Sequence, residues 1–285
     1  MKVFLTGGSG YVGRPTVRAL VRHGHEVSAL ARSDAAASVL SGLGARPVPG
    51  GLTDPDVLRA AAAEADGVIH LGQHYGPDTA EVDRAAADAL QDGLGDRGTY
   101  VHTGGVWVYG DTEGVVDEDA PQRPPAITAW RRANEERVLS RGGNPVLVMP
   151  GLVYGHGGGL AETFFVAPGR EEGSVPLIGD GANHWALVHA DDIAELYALA
   201  LQAPPKSVYA GVSGQNVPLA EVVAALTHAA GCPGQVTRLT YAEAVARMGP
   251  IAEAFALDQQ LTPARAHREL GWTPRHLDAV TELRG

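Results

Sequence analysis

Lysine is almost absent from this chain. Of 285 residues only Lys2 and Lys206 are lysines, arginine carries nearly all the positive charge, and the formal net charge is −11. A surface for a phosphate backbone needs clustered basic side chains, so this composition excludes nucleic-acid partners. Cysteine occurs once, at Cys232, which excludes an internal disulfide. With no charged-then-apolar leader ahead of a strand that begins at Lys2, the expectation is a cytoplasmic protein. No apolar run reaches the roughly 18 residues of a membrane span, so no membrane partner is expected. Eleven histidines are present, yet none follows HExxH or a comparable ligand spacing, and no metal is expected. What remains is a chain with 45% hydrophobic residues, enough to bury a sizeable core as a monomer or homodimer acting on a small molecule.

Glycine, by contrast, is abundant, and its placement is informative. The strand Lys2 to Thr6 runs directly into Gly7-Gly8-Ser9-Gly10-Tyr11-Val12-Gly13. A pyrophosphate needs several converging backbone N–H donors, a backbone bare enough for close approach, and the positive end of a helix dipole. Gly7 permits the tight turn, Gly10 admits the phosphates, and Gly13 lets the helix pack on its strand. An amphipathic helix carrying Val12, Val17, Leu20 and Val21 follows, and then a second strand, His25 to Ala31. This is a dinucleotide-binding turn.

Short apolar strands at Ala45 to Pro49, Gly67 to Leu71, Thr99 to Thr103 and Val146 to Met149 alternate with helix-period segments at Asp54 to Glu64, Thr79 to Leu90 and Ile127 to Ser140. That rhythm predicts a parallel sheet built from βαβ units. Residues 155–185 break it with Gly157-Gly158-Gly159, Phe164-Phe165 and Gly179 to Gly181, a pattern that reads as a glycine-hinged lid. Asp191-Asp192 reads as the cap of a helix from Ile193 to Leu201, and Ser207 to Val212 as a further strand. The expected organisation is a dinucleotide-binding domain over 1–154, to which 186–212 return, with a substrate region over 155–185 and 213–285.

The chain resembles the extended, or atypical, short-chain dehydrogenase/reductases, the NAD-dependent epimerase/dehydratase group. TGGSGYVG at 6–13, GVIHLG at 67–72, WVYGD at 107–111, PGLVYG at 150–155, VHADD at 188–192 and LTPARAHRELGWTP at 261–274 carry the resemblance in the expected order. It implies a doubly wound parallel sheet (Rossmann) with a smaller, mostly helical C-terminal region, and a cofactor across the carboxyl ends of the strands. Besides the glycine turn, cofactor contacts are then expected at Leu71, Gly72, Gln73, Thr103, Gly104, Pro150, Leu152 and Val153. An NAD-specific site places a carboxylate at the end of the second strand; here Ala31 is followed by Arg32 and Ser33, a guanidinium and a hydroxyl suited to a 2′-phosphate. NADP(H) is therefore favoured. After the third strand Gly50-Gly51-Leu52 lacks the usual acid, which leaves Leu52 and backbone groups for adenine.

The chemistry departs from the family. There a Ser or Thr polarises the substrate oxygen, a Tyr protonates it, and a Lys four residues later supports the Tyr. Here the hydroxyl position falls on Gly105. The Tyr position is Ile127 or Thr128 and the Lys position Arg131 or Arg132, according to whether Glu135 or Glu136 matches the family's glutamate. Neither register restores a tyrosine. Thr103 is the surviving hydroxyl of the motif and the candidate catalytic residue. Substrate contacts are expected from His74, Tyr75, Gly105, Trp107, Tyr154, Phe164, Phe165, His184 and Trp185, with ordinary packing as the competing explanation for each aromatic.

These features fit an NADPH-dependent ketoreductase whose substrate, a hydroxylated aromatic polyketide ketone, stabilises its own developing charge. Ketoreductases of aromatic natural-product pathways with degraded triads, including the simocyclinone type of angucyclinone reductase, are similar in this respect, and antibiotic biosynthesis is the implied setting. A non-catalytic NADP(H) sensor would also explain the lost triad. A sugar-nucleotide epimerase or dehydratase fits less well, because oxidation-first chemistry calls for a base.

Overall fold

The computed structural model describes residues 1–285. Seven strands, Lys2–Thr6, Glu26–Ala31, Arg46–Pro49, Gly67–His70, Thr99–Thr103, Asn144–Pro150 and Val208–Gly211, form one sheet. Every pairing in it is parallel. The chain starts mid-sheet, fills one side with its second and third strands, then crosses back to add the others beyond the first. This reversal falls between Lys2–Thr6 and Gly67–His70, and a ligand of a doubly wound sheet lies over the carboxyl ends at that point.

Both faces of the sheet are covered, which explains why Gly67–His70 is buried at every residue. Helices Gly13–Arg22, Asp34–Gly42 and Ala190–Ala200 pack Val17, Leu20, Leu40, Ile193 and Leu196 on one face. Pro55–Ala63, Thr79–Leu94 and Ala129–Ser140 pack Leu58, Leu90 and Val138 on the other. The last of these helices is preceded by a single tight turn, Ala126–Thr128, so Ile127 lies just outside it. Helix Ala190–Ala200 is capped by His189, whose ring accepts from the Asp191 N–H at 3.2 Å. Asp192 instead receives the backbone N–H groups of Arg275 and His276, both at 3.0 Å. The expected Asp-Asp cap is corrected accordingly.

A smaller layer stands over one end. Leu152–Tyr154 pairs with His184–His189, which pairs in turn with Asn216–Pro218, while Val175–Ile178 pairs with Val236–Leu239. The segment expected as a glycine-hinged lid, 155–185, is largely structured. A helical run from Gly159 to Glu172 and the strand after it bury Ala161, Phe165, Val166, Val175, Leu177 and Ile178. Exposing each large apolar side chain costs about 1.5–3 kcal/mol. Much of the segment is thus packed into the smaller layer.

Candidate active site

The phosphate turn is held by close backbone contacts. Gly7 has φ 72°, and a Cβ there would stand 2.7 Å from the Gly72 nitrogen; one on Gly13 would stand 2.0 Å from the Gly7 oxygen. A Cβ on Gly8 would meet Leu40 and Leu5 at 3.0 and 3.1 Å, whereas one on Gly10 would meet only the Gly7 oxygen, at 3.1 Å. Ser9 is fixed through its carbonyl, which accepts from Arg14 Nε at 2.8 Å. Beyond Val12 the helix begins at Gly13 with no acid in its first turn, so its first N–H groups face an anion without competition. These residues fit a dinucleotide pyrophosphate. Tyr11 is the exception, because its phenol points elsewhere. The hydroxyl donates to the Gly155 carbonyl at 2.7 Å, and the ring fills the space where side chains on Gly158 and Gly159 would stand.

Past the second strand Arg32 is exposed, and Ser33 caps helix Asp34–Gly42 by accepting from the Ala36 N–H at 3.2 Å. On the far side of the turn Leu52 lies against Gly72. Leu71 and Gly72 are half-buried and Gln73 is exposed. Thr6 Oγ1 accepts the Gly72 N–H at 3.0 Å and shares a hydrogen bond with His70 Nδ1 at 2.6 Å.

At the end of the fifth strand, Thr103 Oγ1 accepts from the Tyr197 hydroxyl at 3.0 Å. Burial raises the Tyr197 phenol well above its ordinary value, so it stays a donor and leaves the Thr103 hydrogen free. Gly105 has nothing within 4 Å of the position a Cβ would take, while a Cβ on Gly104 would lie 2.6 Å from Glu135 Oε1. Helix Ala129–Ser140 settles the register. Arg131 reaches the Thr103 carbonyl at 3.4 Å and Gln73 Oε1 at 3.3 Å, with its guanidinium 4.6 Å from the Trp130 ring centre. Arg132 turns outward and pairs with Glu136 at 2.9 Å. The inward side of the helix therefore carries Arg131 and Glu135, and counting four residues back from Arg131 puts Ile127, half-buried in the turn before the helix, at the Tyr position. The Glu135 carboxylate is buried with neither oxygen hydrogen-bonded. Burial pushes it up to about 7, opposed by Arg131 and assisted by Asp83 and Glu136.

The model of the NAD dependent epimerase/dehydratase family matches residues 3–211. The chain belongs to this family. Among its relatives, 2-alkyl-3-oxoalkanoate reductase of Stenotrophomonas maltophilia is 28% identical, the match covering 96% of this chain and 95% of the relative. The 4-hydroxy-2-methyl-3-oxo-4-farnesyl-3,4-dihydroquinoline-1-oxide ketoreductase of Stigmatella aurantiaca is 27% identical over 100% of this chain and 96% of its own length. In fold the chain is similar to the dTDP-glucose 4,6-dehydratase DesIV of Streptomyces venezuelae, with a TM-score of 0.81, 23% identity and coverage of 100% of this chain and 96% of that one. A NAD(P)-dependent oxidoreductase of the epimerase/dehydratase family follows. No helix is long and apolar enough to cross a membrane.

Several residues expected to line the cleft of this epimerase/dehydratase member are committed elsewhere. Tyr154 is buried, with its hydroxyl donating to the His276 carbonyl at 3.3 Å. Phe165 and Trp185 are also buried, each ring packed edge-on or tilted against Phe255, and Trp185 Nε1 donates to the Phe255 carbonyl at 2.9 Å. They are core. Trp107 and Phe164 meet the same Phe255 from the rim and stay half-buried. His184 is held by Asp258 at 2.8 Å and ties two chain segments together. Leu152 faces the core of the smaller layer, whereas Pro150 and Val153 are half-buried beside it. His74 pairs with Asp78 at 2.9 Å, and Tyr75 stands 83% exposed at the rim.

Sequence reasoning missed Tyr197 and a buried polar chain beneath the cleft. His70 Nε2 lies 3.6 Å from the Asp83 carboxylate. Asn134 donates to the same carboxylate at 2.8 Å, and His102 Nε2 lies 3.8 Å from it. Burial alone would raise the Asp83 carboxyl, but these partners hold it well below the usual range. Asp83, His70 and Thr6 thus stand in a row between helix Ala129–Ser140 and the N–H of Gly72. Side-chain atoms of His156, His189 and Asp191, and of His189, His276 and Glu282, also converge within 4.8 Å, a grouping that spacing along the chain does not show. Ordinary hydrogen bonds, such as His156 to Asp191 at 3.0 Å and His276 to Glu282 at 3.1 Å, account for it.

Proposed function

We propose that this chain is an NADPH-dependent ketoreductase for a bulky aromatic ketone of polyketide type, one whose neighbouring hydroxyl or conjugated ring shares the charge formed on reduction. The observation that carries this reading is the register in which Arg131 and Glu135 face inward. Ile127 holds the proton donor's place, and Gly105 leaves open space at the hydroxyl's place. A substrate that brings its own hydrogen bond suits such a cleft.

When bound, the reduced nicotinamide would supply hydride. Around it Gly7 to Gly13 hold the pyrophosphate, Arg32 and Ser33 favour a 2′-phosphate, and Thr103, aligned by Tyr197, offers one hydroxyl to cofactor or substrate. The name of the Stigmatella relative describes a 3-oxo group beside a 4-hydroxy group on a dihydroquinoline ring, which supports a ketone flanked by a donor.

The test follows NADPH consumption with tetralone and with tetralone bearing a peri-hydroxyl. The hydroxylated ketone should give a kcat/KM at least about tenfold higher. Equal rates would remove the substrate-assistance argument, and tight NADPH binding with no turnover of any aromatic ketone would favour a sensor.

A further inference from the structure

Arg131 and Glu135 are one helical turn apart on the inward side of the same helix, yet they do not form an ion pair. Arg131 turns up toward the ends of the fourth and fifth strands, where its contacts are the Thr103 carbonyl and Gln73. Glu135 turns under the Thr103-Gly104 bend and takes the space that a side chain on Gly104 would fill. Its two oxygens find no donor there. The Gly104 N–H is already given to the Val148 carbonyl at 2.9 Å. A guanidinium without a carboxylate partner, at the mouth of a cleft whose usual acid is missing, is free to serve an incoming negative charge.

We propose that Arg131 stabilises the negative charge that reduction places on the substrate oxygen, and that Glu135 governs from one turn away whether Arg131 is free to do so. This rests on the reductase reading above. The carbonyl carbon gains a C–H bond as it accepts hydride, and its C=O π pair moves onto oxygen. Arg131 donates N–H hydrogen bonds to that alkoxide, and a water supplies the proton and leaves as hydroxide; the nicotinamide dinucleotide is the reductant and ends oxidised. Arginine does not give up its own proton, but its planar fork of donors carries full charge, and charge aimed where an oxyanion develops is among the stronger catalytic devices.

Glu135 is positioned to switch that charge. While the acid is protonated it has no claim on Arg131. Once ionised, a carboxylate four residues along the helix draws the guanidinium down and neutralises it. The charged and titratable groups facing Glu135 are Arg131 and Glu136 from its own helix, Asp83 from helix Thr79–Leu94 and Tyr109 from the turn after the fifth strand. Of these only Arg131 favours ionisation. Glu135 is pushed up to about 7, so the switch operates near neutrality.

Benzoate, ionised throughout this range, mimics an oxyanion on an aromatic body and needs no turnover. Its affinity is measured on protein saturated with NADP+, so that any loss of cofactor is kept separate. Arg131→Gln should weaken benzoate at least about tenfold, with Arg131→Lys intermediate, because charge remains while the fork is lost. Wild-type affinity should fall between about pH 6 and pH 8, and Glu135→Gln should hold it constant across that window. Benzoate affinity indifferent to Arg131→Gln, or a pH dependence that persists in Glu135→Gln, would overturn the proposal. Ketone turnover is scored independently, so the reductase reading can stand or fall apart from this result.

Discussion

Replacing Glu135 with Gln should stabilise the protein in mild alkali and do little in mild acid. The folded carboxyl titrates at about 7 against an ordinary value of 4.5, so the folded state prefers the protonated form. Stability linked to this group is complete below the unfolded value and is lost as pH rises through the folded one. Moving the midpoint from 4.5 to about 7 costs about 3 kcal/mol once the group is fully ionised, at roughly 1.4 kcal/mol for each pH unit. Glutamine copies the shape of the protonated acid and cannot ionise. Urea unfolding at about pH 5 should therefore show the variant within about 1 kcal/mol of wild type, and at about pH 8 roughly 3 kcal/mol more stable. A stability difference that is the same at both pH values would refute the argument, because it would mean that Glu135 is ionised throughout or neutral throughout.

Two further outcomes test the cofactor site and the smaller layer. NADPH should bind at least about tenfold more tightly than NADH, and Arg32→Ala should remove most of that difference, since an exposed guanidinium has a 2′-phosphate to gain; equal fluorescence-titration affinities in the unmodified protein would refute the assignment. In hydrogen exchange, the amides of Val175–Ile178 should be protected like those of Asn144–Pro150, because both strands are paired and buried; exchange as fast as in the exposed 75–78 segment would restore the lid.

The parts of the molecule that were legible in the sequence are those written locally. Gly10 and Gly13 are dictated by contacts within one turn and Gly7 by its own positive φ, and the alternating apolar strands needed only their own periodicity. Tyr197 was not legible, because it reaches Thr103 across 94 residues and sits on a helix whose pattern reads simply as apolar. Asp83, Asn134 and His70 each look like unremarkable polar residues until three elements bring them together. For Phe165 and Trp185 packing, the competing explanation, was not legible for a related reason. Phe255, outside every motif, draws Phe165 and Trp185 into a core, and no spacing along the chain announces that. Choosing between Arg131 and Arg132 required a helix face, which the rotation of Ala129–Ser140 provides.

The seat of Tyr11 has a consequence for anyone exchanging parts between relatives. Its phenol is anchored on Gly155, and its ring occupies room left by two glycines of the loop leading into the smaller layer. That loop and the phosphate turn thus form a matched pair, like a key cut for one lock. A chimera that imported a different substrate layer with a side chain at Gly158 or Gly159 would displace the ring and, through it, the residues between Gly10 and Gly13. Grafted specificity in this scaffold has to carry both halves of the pair across the splice.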